Sequence, residues 1–206
     1  ANDKFLDVNE RLSQEDGYYM IDSVGDFREV LVFGQDSSLK FRLKNDLDLA
    51  DEFNFYIPYL AGEFDGNGHK ITNLKLNFDV VAPVGLFGYL ASGGKLNKVG
   101  AENVNVTVTN ARQAGGLVGA SLGTVDNSYS TGSVTGDFDV GGLIGWTGWN
   151  AGTVNNSYST SSVTGEAQVG GLVGWNSGTV SNSYAVGRVT GDVNYGGLVG
   201  LDGRVM

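Results

Sequence analysis

From residue 115 onward, the apolar positions recur at an interval far longer than the 3.6 of a helix or the 2 of a strand. Gly115-Gly116-Leu117-Val118-Gly119 returns as Gly141-Gly142-Leu143-Ile144-Gly145, as Gly170-Gly171-Leu172-Val173-Gly174 and as Gly196-Gly197-Leu198-Val199-Gly200. The leucines lie 26, 29 and 26 residues apart. The longer interval carries three extra residues within Trp146 to Ala151, which predicts a turn there. Two further apolar blocks keep the same interval. Val125, Val154 and Val180 precede Asn-Ser-Tyr, and Val134, Val163 and Val189 precede Thr-Gly and an acid.

Short β-rich runs separated by Gly, Asn and Ser leave no room for a helix in the unit. Strands of about 4 to 5 residues cannot bury a hydrophobic face alone, so copies must stack and pair coil on coil. The expected fold class is all-β: a right-handed parallel β-helix, a three-sided solenoid, with a short N-terminal capping helix. Stacking predicts a leucine ladder at Leu86, Leu117, Leu143, Leu172 and Leu198, flanked by the two valine ladders. Asn127, Asn156 and Asn182 are expected at a left-handed corner with amides bonding to their copies, and Tyr129, Tyr158 and Tyr184 in an aromatic row. The glycine pairs are read as sites of positive φ or close backbone approach.

The front of the chain patterns differently. Ser23-Val24-Gly25-Asp26 has the form of a capping box, and Phe27, Val30 and Leu31 fall on one helical face, predicting a helix over 24–33 that caps the core. Phe41 to Leu49 alternates as a strand, and Phe64-Asp65-Gly66-Asn67-Gly68-His69 reads as a turn entering the strand Ile71 to Leu76. The organisation is therefore a cap at 1–40, irregular first coils at 41–110 and regular repeats at 111–206. The last repeat is truncated, as expected of a piece of a longer protein.

Composition sharpens this picture. Thirty-three glycines against 2 prolines in 206 residues are too many for a packed α/β enzyme and lack the proline of collagen. A net charge of -10 argues against nucleic acid, which requires clustered Lys and Arg. The absence of cysteine removes disulfides, thiolate metal sites and cysteine nucleophiles. No membrane-spanning run is evident, and direct membrane insertion is not expected.

These blocks resemble the Gly-Leu-Val-Gly repeat family of large bacterial surface proteins, the GLUG motif. Asn45-Asp46-Leu47-Asp48-Leu49 and Val84-Gly85-Leu86-Phe87-Gly88 resemble the segment that introduces such repeats, although Lys98 stands where later coils have the ladder asparagine. Similar arrays occur in adhesins and in the non-catalytic part of zinc peptidases that cleave immunoglobulin A. The resemblance implies an extracellular or cell-surface location.

Candidate chemistry is sparse. His69 is the single histidine, with Asp46, Asp48 and Asp65 near it in sequence, and a solvated turn residue is the favoured reading over an acid/base or metal site. With one histidine there is no His-Glu-x-x-His motif, and no phosphate-binding Gly-rich loop is present. Asp137, Glu166 and Asp192 follow each Thr-Gly and should stack at one corner, their repulsion relieved by water and salt or, less favoured, by calcium. Trp146, Trp149 and Trp175 either cover a corner of the core or form an outward platform for sugar rings. Strict alternation would turn Phe87, Val118, Ile144, Val173 and Val199 outward as an apolar stripe for lateral self-association or packing on a neighbouring domain. The function these features support is a non-catalytic extracellular module for adhesion or spacing, binding glycan or surface protein on its side faces and needing no cofactor. The alternative is an accessory domain of a secreted peptidase or carbohydrate-active enzyme.

Overall fold

Residues 7–110, 112–148 and 151–203 are described in the computed structural model. Apart from the antiparallel pair of Gln14–Glu15 with Tyr18–Ile21, their short strands pair in parallel, in the repeats at the register that sequence equivalence requires. Leu96 lies beside Val125, Val125 beside Val154 and Val154 beside Val180. Val106, Val134, Val163 and Val189 follow one another in the same way. The result is an all-β parallel solenoid of about five turns with one short helix.

Leu86, Leu117, Leu143 and Leu172 are fully buried on the inside of the stack. Each such side chain removed from water contributes about 1.5–3 kcal/mol, so one ladder residue per coil is a large share of what holds that coil in place. Leu198, in the last described coil with no further rung on it, remains 38% exposed.

A complete coil distributes its strands over four hydrogen-bonded stacks, seen at Thr124–Asp126, Tyr129–Thr135, Phe138–Gly141 and Ile144–Thr147. The last two flank Leu143 and fold against each other. Glycine makes this approach possible, because a Cβ on Gly141 would lie 1.9 Å from the Ile144 carbonyl oxygen and one on Gly145 would lie 2.7 Å from that of Asp139. A Cβ on Gly142 would lie 2.2 Å from the Gly171 carbonyl oxygen in the next coil. None of these three has positive φ, so close approach alone explains them.

The same bend corrects the expected outward stripe. Phe87, Val118, Ile144 and Val173 are fully buried, not exposed, because the chain turns at the leucine and both Leu143 and Ile144 face inward. Across these four coils the row therefore offers no surface for lateral association; Val199, in the last described coil, is half-buried.

Asn127, Asn156 and Asn182 take left-handed backbone with φ of 49, 49 and 48°, and Lys98 keeps the conformation at 52°. Their amides do not bond copy to copy as expected. Asn156 Nδ2 instead donates to Asp126 Oδ1 at 3.0 Å, because the left-handed residue leans toward the preceding position of the neighbouring coil. Directly after each asparagine runs a buried hydroxyl ladder that the pattern did not announce. Val99, Ser128 and Ser157 N–H groups donate at 3.1 Å to the Oγ of Ser128, Ser157 and Ser183, satisfying amides that the corner takes out of the sheets.

At the front, α1 spans Val24–Phe33 with the Ser23 and Asp26 capping box formed. Phe27 inserts edge-on among Phe55, Phe64 and Phe87, with ring centroids 5.6, 5.7 and 6.2 Å away. Phe27 and Val30 are buried, whereas Leu31, expected on the same face, is 40% exposed. The helix packs over Ile57–Leu60, the outermost strand of its sheet, and the Gly34 carbonyl accepts from Ala61 N at 2.7 Å. It thus covers an edge that would otherwise present unpaired backbone.

Candidate functional site

The stack that buries Ile57, Phe87, Val118, Ile144 and Val173 carries a second column two residues further on. Tyr59, Tyr89, Ala120, Trp146, Trp175 and Leu201 occupy successive rungs of it. Tyr59 and Tyr89 stack with centroids 5.5 Å apart and planes 7° apart. Trp146 and Trp175 are tilted by 57° at 6.5 Å. The ring of Trp146 lies on the turn at Gly148, where a Cβ would meet its Cη2 at 2.4 Å, and is half-buried. Trp175 is 36% exposed and Tyr59 is 40% exposed. Trp149 lies outside the described residues. The irregular spacing of the first coils concealed Tyr59 and Tyr89 as members of this column.

Trp175 also walls a surface groove of about 220 Å³, shared with Arg112, Phe138, Asp139 and Gln168. Asp139 and Gln168 have φ of 45 and 52°, and stand at equivalent positions of successive coils with Asn194 at 52°. Each lies two residues before a Gly-Gly pair, as does Gln113. That recurring polar residue inside an apolar strand was the available signal for the groove. Asp139 is 5% exposed, and Gln113 Nε2 donates to its Oδ2 at 3.1 Å. Burial pushes its carboxyl up to about 6, against the smaller opposing pull of the Gln113 hydrogen bond and the Arg112 charge.

The other sequence candidates are placed as follows. Asp137, Glu166 and Asp192 stand in one column, linked through the Glu166 and Asp192 N–H groups donating to the carbonyls of Asp137 and Glu166 at 2.9 and 3.0 Å. Asp137 Oδ2 accepts from Asn110 N at 2.7 Å. Among the described residues, no three His, Asp or Glu side chains group as metal ligands would. His69 Nδ1 lies 3.1 Å from Asp46 Oδ1 at the surface. Asp65 is taken by Arg42 at 2.9 Å and Asp48 by Asn73 at 2.8 Å, so the acids near His69 in sequence serve separate corners.

A third column closes the polar inventory. Tyr129, Tyr158 and Tyr184 stack in parallel, and Tyr129 Oη donates to Glu102 Oε1 at 2.7 Å while Lys70 Nζ pairs with Glu102 Oε2 at 2.8 Å. Burial and the Glu102 carboxylate hold the Tyr129 phenol well above its ordinary value. Among the described residues no helix is long and apolar enough to cross a membrane.

Comparison with known proteins agrees with the solenoid fold. Halomucin of Haloquadratum walsbyi (strain DSM 16790 / HBSQ001) is 35% identical over 145 residues, which cover 63% of this chain and 2% of halomucin. The crystal structure of a candidate immunoglobulin A1 protease from Bacteroides ovatus superposes with a TM-score of 0.78 at 26% identity, over 92% of this chain and 63% of that one. The chain thus spans a small part of the first relative and under two thirds of the second. The family described as the GLUG motif matches residues 110–135 and 165–190, the stretches in which the buried valine, the left-handed asparagine and the stacked tyrosine recur. The chain therefore carries two GLUG-motif repeats within a parallel β-solenoid.

Proposed function

We propose that the chain is a non-catalytic, extracellular repeat module that binds glycan on the side face carrying Tyr59, Tyr89, Trp146 and Trp175. The observation behind this reading is the register of those aromatics, which places flat amphipathic rings on one side of a rigid stack. Rings held by a solenoid bind with little loss of side-chain entropy, and repeated rings spaced along one polymer gain avidity without new contacts. The likeness to halomucin and to the Bacteroides protein supports a place outside the cell as one part of a longer chain. The non-catalytic reading draws on the separate structural partners of His69, Asp65 and Asp48. The Asp137, Glu166 and Asp192 column is read as a solvated edge; a rise in melting temperature with millimolar calcium would make it a cation site instead.

A second reading, an accessory domain that positions a peptidase, is favoured by the name of the Bacteroides relative alone. An array of glycans and surface glycoproteins tests both. Binding that weakens in Tyr59→Ala, Tyr89→Ala and Trp175→Ala variants supports the first reading. Silence on the array, together with enhanced cleavage when the module is joined to a peptidase domain, supports the second.

A further inference from the structure

Asp139 is costly where it stands. It is almost fully buried, yet none of the ion pairs among the described residues includes it. Carboxylates are rarely buried without a partner charge, because desolvation penalises the ionised form. The fold does not require an acid there. Gln168 and Asn194 adopt the same left-handed backbone in the next coils, so an amide would satisfy the corner at lower cost. A destabilising group retained in a groove is what a binding site, rather than a structural corner, would hold.

The surroundings indicate the ligand. Phe138 and Trp175 give the groove two aromatic walls, and Gln168 and Arg112 bring N–H donors to it. Gln113 fills one of the roughly four acceptor positions of the Asp139 carboxylate. At about 220 Å³ the groove is below the roughly 300–1,000 Å³ of drug-sized pockets, which sets the scale at one ring rather than a whole oligosaccharide. An anionic ligand would meet the carboxylate, and the described residues offer no ligand set for a metal.

We infer that this groove is a subsite for one neutral pyranose ring, stacked on Trp175 and Phe138, with its hydroxyls donating to Asp139 and accepting from Gln168 and Arg112. The inference rests on the glycan-binding reading and narrows it to one place and one ligand class. Hydroxyl donors suit a carboxylate that no ion pair neutralises, and the guanidinium of Arg112, which acts on it from a distance, opposes a cationic ligand in the same space.

The test is a titration of the whole chain, isotope-labelled, with the methyl glycosides of glucose, galactose and mannose, and with Nα-acetyl-lysine methyl ester. The indole N–H signal of Trp175, assigned with Trp175→Phe, is the readout. At least one glycoside should shift that signal with a Kd on the order of millimolar. Asp139→Asn, which preserves shape, should weaken it about tenfold or more, and Thr135→Ala, at an exposed position outside the groove lining, should leave it unchanged. Binding by the wild type should weaken as pH falls below about 6. The inference is overturned if no glycoside shifts the Trp175 signal, if Asp139→Asn binds equally well, or if the lysine ester binds and the sugars do not. Array binding that depends on Tyr59 and Tyr89 but not on Asp139 overturns the groove alone and leaves the broader reading standing. Absence of any glycan or glycoprotein binding removes both.

Discussion

Tyr129 and Tyr158 lie one coil apart with ring centroids 4.9 Å apart and planes 2° from parallel. This is close to the 4.7–4.9 Å between paired strands, so the rings stack because the backbones beneath them do. Tyr158 is stacked on both sides, by Tyr129 and by Tyr184 at 5.1 Å. Tyr158→Ala loses both stacks at about 0.5–1.5 kcal/mol each, and the expected loss is about 2 kcal/mol in urea unfolding. Tyr184→Ala, with one stack, should lose about half as much.

The glycines of the leucine block give a paired prediction. A Cβ on Gly171 would lie 2.1 Å from the carbonyl oxygen of Gly197, whereas Gly197 has nothing within 4 Å of its own Cβ position. Gly171→Ala should therefore destabilise by about 3 kcal/mol or more, through forced separation of coils. Gly197→Ala occupies the same motif position in the last described coil, and its unfolding midpoint should match the parent.

Asp139 makes stability depend on pH in the direction opposite to a salt-bridged acid. Its folded-state carboxyl is raised to about 6 from 3.8, so between those values the folded chain holds a proton that the unfolded chain has released. Stability from this group is full below about pH 4 and declines as pH rises to about 6, by on the order of 3 kcal/mol. Arg112 is the charged neighbour that tempers the effect. Asp139→Asn should raise the melting temperature at pH 7.5 and leave it nearly unchanged at pH 4. Equal shifts at both pH values would contradict the assignment.

Much of this architecture can be read from the chain, for identifiable reasons. Ser23, Asp26, Phe27 and Val30 define α1 because capping and helical periodicity are local properties. Leu117, Leu143 and Leu172 reveal the stack because a solenoid repeats its core contacts at the repeat interval. The direction of Val118 and Ile144 could not be read that way. Strict alternation assumes a straight strand, and the chain bends at the leucine where the glycines let two backbones approach. The groove was hidden for a different reason. Arg112, Phe138 and Gln168 come from successive coils, and Trp175 reaches the groove from the neighbouring stack of Gln168's own coil, so residues of three repeats meet there.

The solenoid depends on direct coil-on-coil registration, and the absence of native cysteine allows this to be measured cleanly. Thr135 and Thr164 are exposed and paired in adjacent coils, and Thr190 is paired with Thr164 one coil beyond. Adjacent strands lie about 4.8 Å apart, within the span of a disulfide, whereas two coils exceed it. Under mild oxidation, Thr135→Cys with Thr164→Cys should cross-link within one chain, and Thr135→Cys with Thr190→Cys should not. Cross-linking of the second pair, or of neither, would contradict the stacking on which the aromatic face and the groove depend.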